Sequence, residues 1–120
     1  MTRNRVLLVD DDEELCAEMA EVLAGEGYAV KSTSDPEKGR GLIAAHAFDI
    51  ALFDYKLPGT TGVELMKEVK KKDPETRVFI ISGRPFIEQA LEEEKVSGLV
   101  SGVIPKPFDC EVLLKKIAFR

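Results

Sequence analysis

Cysteine and histidine are scarce in this chain of 120 residues, which contains two cysteines and one histidine. Cys16 and Cys110 lie far apart, no C-x-x-C motif is present, and neither cysteine has a histidine pair nearby. Zinc sites and redox dithiols depend on closely spaced ligands, so we expect neither, and both cysteines are predicted to be small buried apolar side chains. His46 follows two alanines at a predicted helix end, which favours a surface or capping residue over a phosphodonor.

Basic residues are in the minority. The chain has 17 Lys and Arg against 22 Asp and Glu, a net charge of −5 and a pI near 5.0. Nucleic-acid binding over a whole surface needs clustered Lys and Arg, so this balance argues against direct binding of nucleic acid by this domain. The lysine run at 70–72 lies at a predicted helix end, where cations complement the helix dipole.

A long apolar segment is missing near the N-terminus. The apolar run at 6–9 follows a basic start and is followed by three aspartates. A signal peptide or membrane span needs a much longer apolar run, so we expect a cytoplasmic protein without membrane contact. A chain of this length buries roughly two-thirds of its unfolded surface, which predicts one domain without a structural metal or disulfide.

Short apolar runs alternate with helix patterns along the whole chain. Continuous runs of β-branched and aromatic residues are typical of strands buried on both faces of a parallel sheet. Five strand–helix pairs with right-handed crossovers predict an α/β fold, a doubly wound (βα)5 sandwich with a flavodoxin-like parallel five-stranded sheet in the order 2-1-3-4-5. The predicted strands contain residues 6–9, 28–30, 50–53, 78–81 and 102–104, the second and fifth at or near the sheet edges.

Cap residues and glycines mark the ends of the predicted helices. The first helix stops at the glycines in 25–27. The segment 34–37 combines a cap residue, a first-turn proline and a capping glutamate, and 61–64 is a second capping box. A fourth helix is predicted over 86–95, with a solvated acidic face at its end, and Asp109 caps the fifth.

Polar side chains follow the predicted strands at the ends where a ligand is expected. In an open parallel sheet, ligands bind beyond the carboxyl ends of the strands. The residues at these ends are Asp10, Asp11 and Asp12 after strand one, Asp54 after strand three, Ser82 after strand four and Lys106 after strand five.

Carboxylates that converge on one crevice repel each other. A pair about 4 Å apart costs on the order of 4 kcal/mol at a surface-like dielectric, and a divalent cation removes that penalty. A ligand set of carboxylates and water is typical of Mg²⁺. Adjacent Asp10 and Asp11 point to opposite faces within a strand. Both therefore reach one ion only if the chain leaves strand geometry there, or if one acts through water.

Some of these residues also have simpler explanations. The acids at 12–14 precede a helix, whose dipole favours them, and Ser82 beside Gly83 is ordinary turn chemistry. Asp54 is harder to explain in this way, because an unpaired charge in a central strand is costly. Lys106 is a suitable counter-charge and phosphate ligand. The joint occurrence of these residues therefore favours a functional site.

Taken together, the motifs resemble the receiver domain of two-component response regulators, from about Val6 to the last helix. They are Val6-Leu-Leu-Val-Asp10-Asp11, Phe53-Asp54-Tyr-Lys-Leu-Pro58-Gly59 with Gly62, Ile80-Ile-Ser82-Gly83 and Lys106-Pro107-Phe108. The resemblance implies a single receiver domain over residues 1–120, with no output domain in this chain.

The resemblance also implies roles for individual residues. Asp54 would be the phosphoacceptor, Ser82 the switch hydroxyl and Lys106 the lysine that neutralises the phosphoryl group. The Lys106–Pro107 bond falls where the family often has a cis peptide. The implied ligands of Mg²⁺ or Mn²⁺ are Asp10 (through water), Asp11, Asp54 and the backbone carbonyl of Lys56.

The implied function is a phosphorylation-activated signalling switch rather than an enzyme, since it would assist only its own phosphorylation and dephosphorylation. A sensor histidine kinase or a histidine phosphotransfer protein would donate the phosphoryl group to Asp54 in a Mg²⁺-dependent reaction. The face formed by helix 4, strand 5 and helix 5 would then change between two states. That face would bind a downstream output protein or detached output domain, and it is also a candidate homodimer contact.

Three features depart from the family pattern. Val103 stands where the family usually has Tyr or Phe, so an aromatic that flips inward on activation is missing. The stretch 96–102 lengthens the segment before the lysine, and its glycines and serines predict a mobile loop. Lys56 and Arg84 occupy the two positions that flank the path of the attacking water in the family. Our hypothesis is that they shield the acyl phosphate and slow its hydrolysis.

Three other functions fit parts of the pattern. A haloacid-dehalogenase-like phosphatase would have a second Asp two residues after its nucleophile, where this chain has Lys56. A flavodoxin-like nucleotide binder would have a Ser/Thr/Gly-rich loop after strand one instead of three aspartates. The main alternative is an interaction module that works without phosphorylation. Val103 and the altered loop favour it, and the acidic pair, Asp54, Ser82 and Lys106 argue against it.

Overall fold

The computed structural model describes residues 4–118, and in it five strands alternate with five helices, as predicted. The strands are β1 (Arg5–Val9), β2 (Ala29–Thr33), β3 (Ile50–Asp54), β4 (Arg77–Ser82) and β5 (Gly102–Pro105). The helices are α1 (Glu13–Gly25), α2 (Pro36–Ala45), α3 (Gly62–Lys72), α4 (Ile87–Glu93) and α5 (Cys110–Ala118).

All strand pairs in the main sheet are parallel, in the order β2-β1-β3-β4-β5. The doubly wound fold is therefore confirmed, with β2 and β5 at the edges. A short antiparallel hairpin, Lys56–Leu57 with Thr60–Thr61, follows β3 and was not predicted. Its two-residue turn is Pro58-Gly59, and Gly59 has φ +71°, which glycine adopts without strain.

The sheet is covered on both faces, because successive residues of its central strands enter two different cores. In β1, Leu7 and Val9 pack in the core that includes α2, α3 and α4, whereas Val6 and Leu8 pack in the core that includes α1 and α5. Every residue of β3 is buried. This burial on both faces fixes the strand ends, and with them the position of the side chains that follow.

Side-chain caps begin α1, α2 and α3. Asp12 accepts a hydrogen bond from the Leu15 N–H, and Asp35 accepts one from the Glu37 N–H. Thr61 accepts one from the Glu64 N–H at 3.4 Å. These bonds satisfy N–H groups that have no partner within the helix.

The fourth helix is shorter than predicted. The expected range 86–95 ends at both sides in residues with left-handed backbone, since Phe86 has φ 59° and Lys95 has φ 62°. Left-handed residues cannot continue a right-handed helix, so α4 is confined to Ile87–Glu93. The stretch 96–102, predicted as a mobile loop, contains a 3₁₀ turn at Ser97–Leu99, and Val96 before it is buried.

The two cysteines differ. Cys16 is buried, as predicted, and its burial raises the pKa of the thiol to about 11. Cys110 is only half-buried, so the prediction of burial is wrong for this residue, which lies in the first turn of α5 after a loop. His46 forms the C-cap of α2, with its N–H bonded to the Leu42 carbonyl, as predicted. None of the helices described here has the length and apolar character needed to cross a membrane.

Candidate functional site

The backbone leaves strand geometry directly after β1. Asp10 is fully buried and Asp11 is exposed. The Asp10 Oδ1 atom accepts a hydrogen bond from the Asp12 N–H at 3.0 Å, and the Asp10 carbonyl accepts one from the Cys16 thiol at 3.2 Å. These bonds hold the acidic turn against the start of α1. The change of geometry is the one that allows successive carboxylates to approach a common point.

Asp54 is the last residue of β3 and is 6% exposed. Its backbone lies against the start of α3, where Gly62 packs. A Cβ atom on Gly62 would lie 3.1 Å from the Asp54 carbonyl carbon and from the Phe53 Cβ, and closer still to the Asp54 carbonyl oxygen. A glycine is therefore required at position 62 if Asp54 is to keep its position.

Lys106 joins the ends of three strands. Its Nζ lies 2.9 Å from the Asp10 Oδ2 and donates a hydrogen bond to the Asp54 Oδ2 at 3.3 Å. Its backbone N–H donates to the Ser82 carbonyl at 2.8 Å. The Lys106–Pro107 bond is cis, as expected. The positive charge of Lys106 therefore lies next to the buried carboxylates of Asp10 and Asp54.

Asp10, Asp11 and Asp54 form one carboxylate cluster. One oxygen from each lies within 4.8 Å of the others. The buried Asp10 Oδ2 has no hydrogen bond, because its contact with the Lys106 Nζ is an ion pair without hydrogen-bond geometry. Three carboxylates that offer only oxygen atoms, one of them a buried oxygen that accepts no hydrogen bond, fit a hard cation such as Mg²⁺.

The electrostatics of the cluster favour binding of positive charge. Burial, followed by the negative charge of Asp10, raises the pKa of Asp54 from 3.8 to about 6, although Lys106 opposes the shift. Burial alone would lower the pKa of Lys106, but the ion pair with Asp10 at 2.9 Å and the negative charge of Asp54 raise it above its usual value. Lys106 is therefore positive at neutral pH and compensates only part of the negative charge.

An open cavity of about 620 Å³ adjoins Asp54. The Ser82 Oγ atom, at the end of β4, accepts a hydrogen bond from the Arg84 N–H at 3.0 Å. Because a hydroxyl has both a donor and acceptor sites, this bond does not use the O–H donor of Ser82. The cavity is lined by Asp54, Tyr55, Lys56, Thr61, Ser82, Gly83 and Arg84.

Tyr55, which lines this cavity, and Glu94, which bonds to Tyr55, were not predicted from the sequence as site residues. The Tyr55 hydroxyl donates a 2.7 Å hydrogen bond to the Glu94 carboxylate, and the Arg84 guanidinium carbon lies 5.3 Å from the centre of the Tyr55 ring. The hydrogen bond to Glu94 is the main cause that raises the pKa of Tyr55, with burial second. The acidic run at 92–94 is exposed, as predicted, but the hydrogen bond of Glu94 with Tyr55 was not predicted. Tyr55 and Glu94 are 39 residues apart, and no local pattern could have paired them.

The comparisons of this chain with known proteins agree on one family. The family described as "Response regulator receiver domain" matches residues 6–118. The chain is 31% identical over 120 residues to the "Uncharacterized transcriptional regulatory protein YkoG" of Bacillus subtilis, covering 98% of this chain and 50% of that protein. The chain thus spans about half the length of the curated relatives it matches.

Solved structures agree with this family. A CheY-like response regulator receiver domain protein from Methanospirillum hungatei has a TM-score of 0.86 at 30% identity, covering 98% of this chain and 92% of that chain. The chemotaxis response regulator CheY4 of Vibrio cholerae has a TM-score of 0.85 at 27% identity, covering 98% of both chains. The arrangement of helices and strands around the acidic cluster is therefore similar to that of proteins of one signalling family.

Proposed function

The chain belongs to the response regulator receiver domain family, and we propose that it is a phosphorylation-activated switch whose phosphoacceptor is Asp54. The observation that carries this proposal is the cluster at the carboxyl edge of the sheet. Asp54 is buried beside Asp10 and Asp11, the Lys106 Nζ contacts both Asp10 and Asp54, and an open cavity adjoins Asp54. The proposed unit is a single receiver domain over residues 1–120.

The proposed reaction is transfer of a phosphoryl group from a phosphohistidine. An Asp54 carboxylate oxygen attacks phosphorus in line, the P–N bond breaks, and its electron pair goes to the histidine nitrogen. Lys106 contributes positive charge next to the oxygens of the transferred group, where electrostatic stabilisation matters most. The donor would be a sensor histidine kinase or a histidine phosphotransfer protein. The chain itself assists only the gain and loss of its own phosphate.

The carboxylate cluster is the proposed metal site. Asp11 and Asp54 would bind Mg²⁺ or Mn²⁺ directly, Asp10 would act through water, and the Lys56 carbonyl would complete the protein ligands. The buried Asp10 Oδ2, which accepts no hydrogen bond, and the all-oxygen donor set support this assignment. When bound, the cation neutralises charge on the carboxylates and on the phosphoryl oxygens.

Ser82 is the proposed switch hydroxyl. Phosphorylation adds about −1.5 to −2 charge, and Ser82 would donate a hydrogen bond to one of the new oxygens. Its present bond with the Arg84 N–H links this movement to the loop before α4. The face of α4, β5 and α5 would then bind a downstream output protein or detached output domain, or a second copy of the chain.

Intact-protein mass spectrometry tests the proposal. The protein is incubated with a small acyl-phosphate donor in Mg²⁺ and, separately, in chelator. We expect one phosphate per molecule on the wild type with Mg²⁺, little in chelator, and none on Asp54→Ala. Asp73→Ala, which removes a carboxylate at the end of α3, is the matched control and should be phosphorylated like the wild type. Phosphate on Asp54→Ala, or none on folded wild type, would contradict the assignment.

A second proposal concerns the lifetime of the phosphate. Lys56 and Arg84 both line the cavity beside Asp54, and long cations there would shield the acyl phosphate from water. We expect slow hydrolysis in the wild type and faster loss in the double variant Lys56→Ala/Arg84→Ala, measured by the decay of the phosphorylated mass after the donor is removed. Rapid loss in the wild type that the double variant leaves unchanged would contradict the hypothesis.

The main alternative is an interaction module that signals without phosphorylation. It is favoured by Val103, which is half-buried against the core under α4 and carries no ring. The mass experiment separates the two functions, since a folded protein without phosphate in any condition is the result expected of the alternative.

A further inference from the structure

The short helix α4 has few features that fix its ends. It has seven residues and no side-chain hydrogen bond at its N-cap. The residues that flank it, Phe86 and Lys95, both have left-handed backbone without being glycine. Strained residues of this kind persist where the surrounding structure holds them, and they are frequent at segments that move. Ile87 and Leu91 anchor α4 in the core, so the placement of its two ends depends on the contacts made there.

One of these contacts runs to the residue after Asp54. Tyr55 follows the proposed phosphoacceptor directly, and its hydroxyl donates a 2.7 Å hydrogen bond to Glu94, the C-cap residue of α4. The Tyr55 backbone is itself fixed, since its N–H donates to the Ile81 carbonyl at 2.8 Å and its carbonyl accepts from the Gly62 N–H at 2.9 Å. The Tyr55 side chain thus joins the fixed end of β3 to the C-terminal end of α4.

Arg84 connects the same ring to the phosphorylation site. Its guanidinium lies over the Tyr55 ring, its side chain lines the cavity beside Asp54, and its N–H is bonded to the Ser82 Oγ. A phosphoryl group on Asp54 would attract the guanidinium, because charge-assisted hydrogen bonds are roughly twice as strong as neutral ones and an arginine can form two to one phosphate. Movement of Ser82 toward the same oxygens would release the Arg84 backbone. Both changes alter the contact of Arg84 with Tyr55.

We propose that Tyr55 is a positioning residue that couples the phosphorylation site to α4, through Arg84 on one side and Glu94 on the other. It would do so in a chain where Val103 on β5 has no ring to provide such a connection. This inference rests on the proposed function. It adds a route, Asp54 to Arg84 to Tyr55 to Glu94, by which the output face would respond.

The test compares two readouts on the same samples. Intact mass gives the fraction of protein phosphorylated by an acyl-phosphate donor in Mg²⁺. Amide ¹H–¹⁵N NMR gives the movement of α4, from the shifts of Ala90 and Leu91. The variants are Tyr55→Phe, which keeps the ring under Arg84 but removes the hydroxyl, Glu94→Ala, and the two combined. The matched controls are Tyr28→Phe and Glu93→Ala.

We expect the equilibrium constant between the two positions of α4, obtained from the shift per phosphorylated molecule, to fall about fivefold in Tyr55→Phe and in Glu94→Ala, the lower end of coupling between linked sites. The double variant should show no further loss, because both changes break one hydrogen bond. The controls should match the wild type. Since Glu94 is exposed, its variant tests the route without disturbing the core.

Two results would overturn the coupling. One is a wild-type α4 that does not respond to phosphorylation. The other is a full response in Tyr55→Phe and Glu94→Ala. In both cases the mass readout still reports phosphate on Asp54, so the proposed function would stand. Absence of phosphate from the wild type would instead overturn the proposed function, and the coupling with it.

Discussion

Replacing Asp54 by asparagine should make the protein more stable at neutral pH when no divalent cation is present. Burial and Asp10 raise the pKa of Asp54 from 3.8 to about 6. A carboxyl whose pKa is raised on folding holds its proton more tightly in the folded state. Stability is therefore lost as pH rises from about 4 through about 6, and above that range the loss is complete.

The magnitude follows from this pKa difference. Converted in full into free energy of unfolding, the pKa difference of Asp54 corresponds to at most about 3 kcal/mol. Solvent screening at the mouth of the site, where Asp11 is exposed and Lys106 is partly so, reduces it to about 1–2 kcal/mol. A change of that size corresponds to a rise of about 4–8 °C in Tm for a domain of this size.

The assay is denaturation followed by circular dichroism, in chelator and in Mg²⁺, at pH 4 and pH 7.5. Asp54→Asn should exceed the wild type at pH 7.5 in chelator, and the difference should shrink at pH 4. Mg²⁺ should stabilise the wild type by about 2.7 kcal/mol at a hundred times its dissociation constant, and the variant by less. Asp35→Asn is the control, since asparagine also caps helices well. An Asp54→Asn variant no more stable than the wild type at pH 7.5 in chelator would refute the reasoning.

Further predictions concern backbone and helix ends. Gly62→Ala should lower the free energy of unfolding by about 1–3 kcal/mol through overpacking against Asp54, and slow phosphorylation. Gly83→Ala, whose Cβ would lie 3.5 Å from the Lys106 Cβ, should stay within about 0.5 kcal/mol of the wild type in the same urea titration. Lys95→Gly should stabilise the protein by up to about 1 kcal/mol by removing left-handed strain, and a lower urea midpoint would contradict this. Lys72→Met should cost about 1–2 kcal/mol in thermal unfolding, because the ammonium donates to the carbonyls of Ile43, Ala44 and His46 at the end of α2; Lys71→Met is the control and should be neutral.

The prediction of the fold from sequence succeeded where the signal is local. The apolar runs of β1, β3 and β4 indicate burial on both faces, and the capping segments 34–37 and 61–64 mark the starts of α2 and α3. The ends of α4 were missed because Phe86 and Lys95 have no local feature that indicates left-handed backbone. Glycine would have indicated it, and neither residue is glycine.

The residues of the candidate site could be predicted from the sequence, but their distances from one another could not. Asp10, Asp11, Asp54, Ser82 and Lys106 could be grouped from sequence, because each follows a strand whose carboxyl end must lie at the same edge of a parallel sheet. Their separations could not be predicted. Whether the Lys106 Nζ would contact both Asp10 and Asp54 depends on side-chain directions after the strands end. The unused Asp10 Oδ2 also appears only in three dimensions.

The amino-acid sequence by itself determined the chemistry of this protein: three acids, a serine and a lysine at the ends of apolar strands, on a chain with the alternation of a doubly wound sheet. Strand burial and helix capping depend on nearest neighbours along the chain, so they can be read from it. The tertiary structure alone decided which distant side chains meet. The contact of Tyr55 with Glu94 and Arg84 arises because the sheet places β3 beside β4 and packs α4 over their ends, and packing of that kind has no counterpart in local sequence.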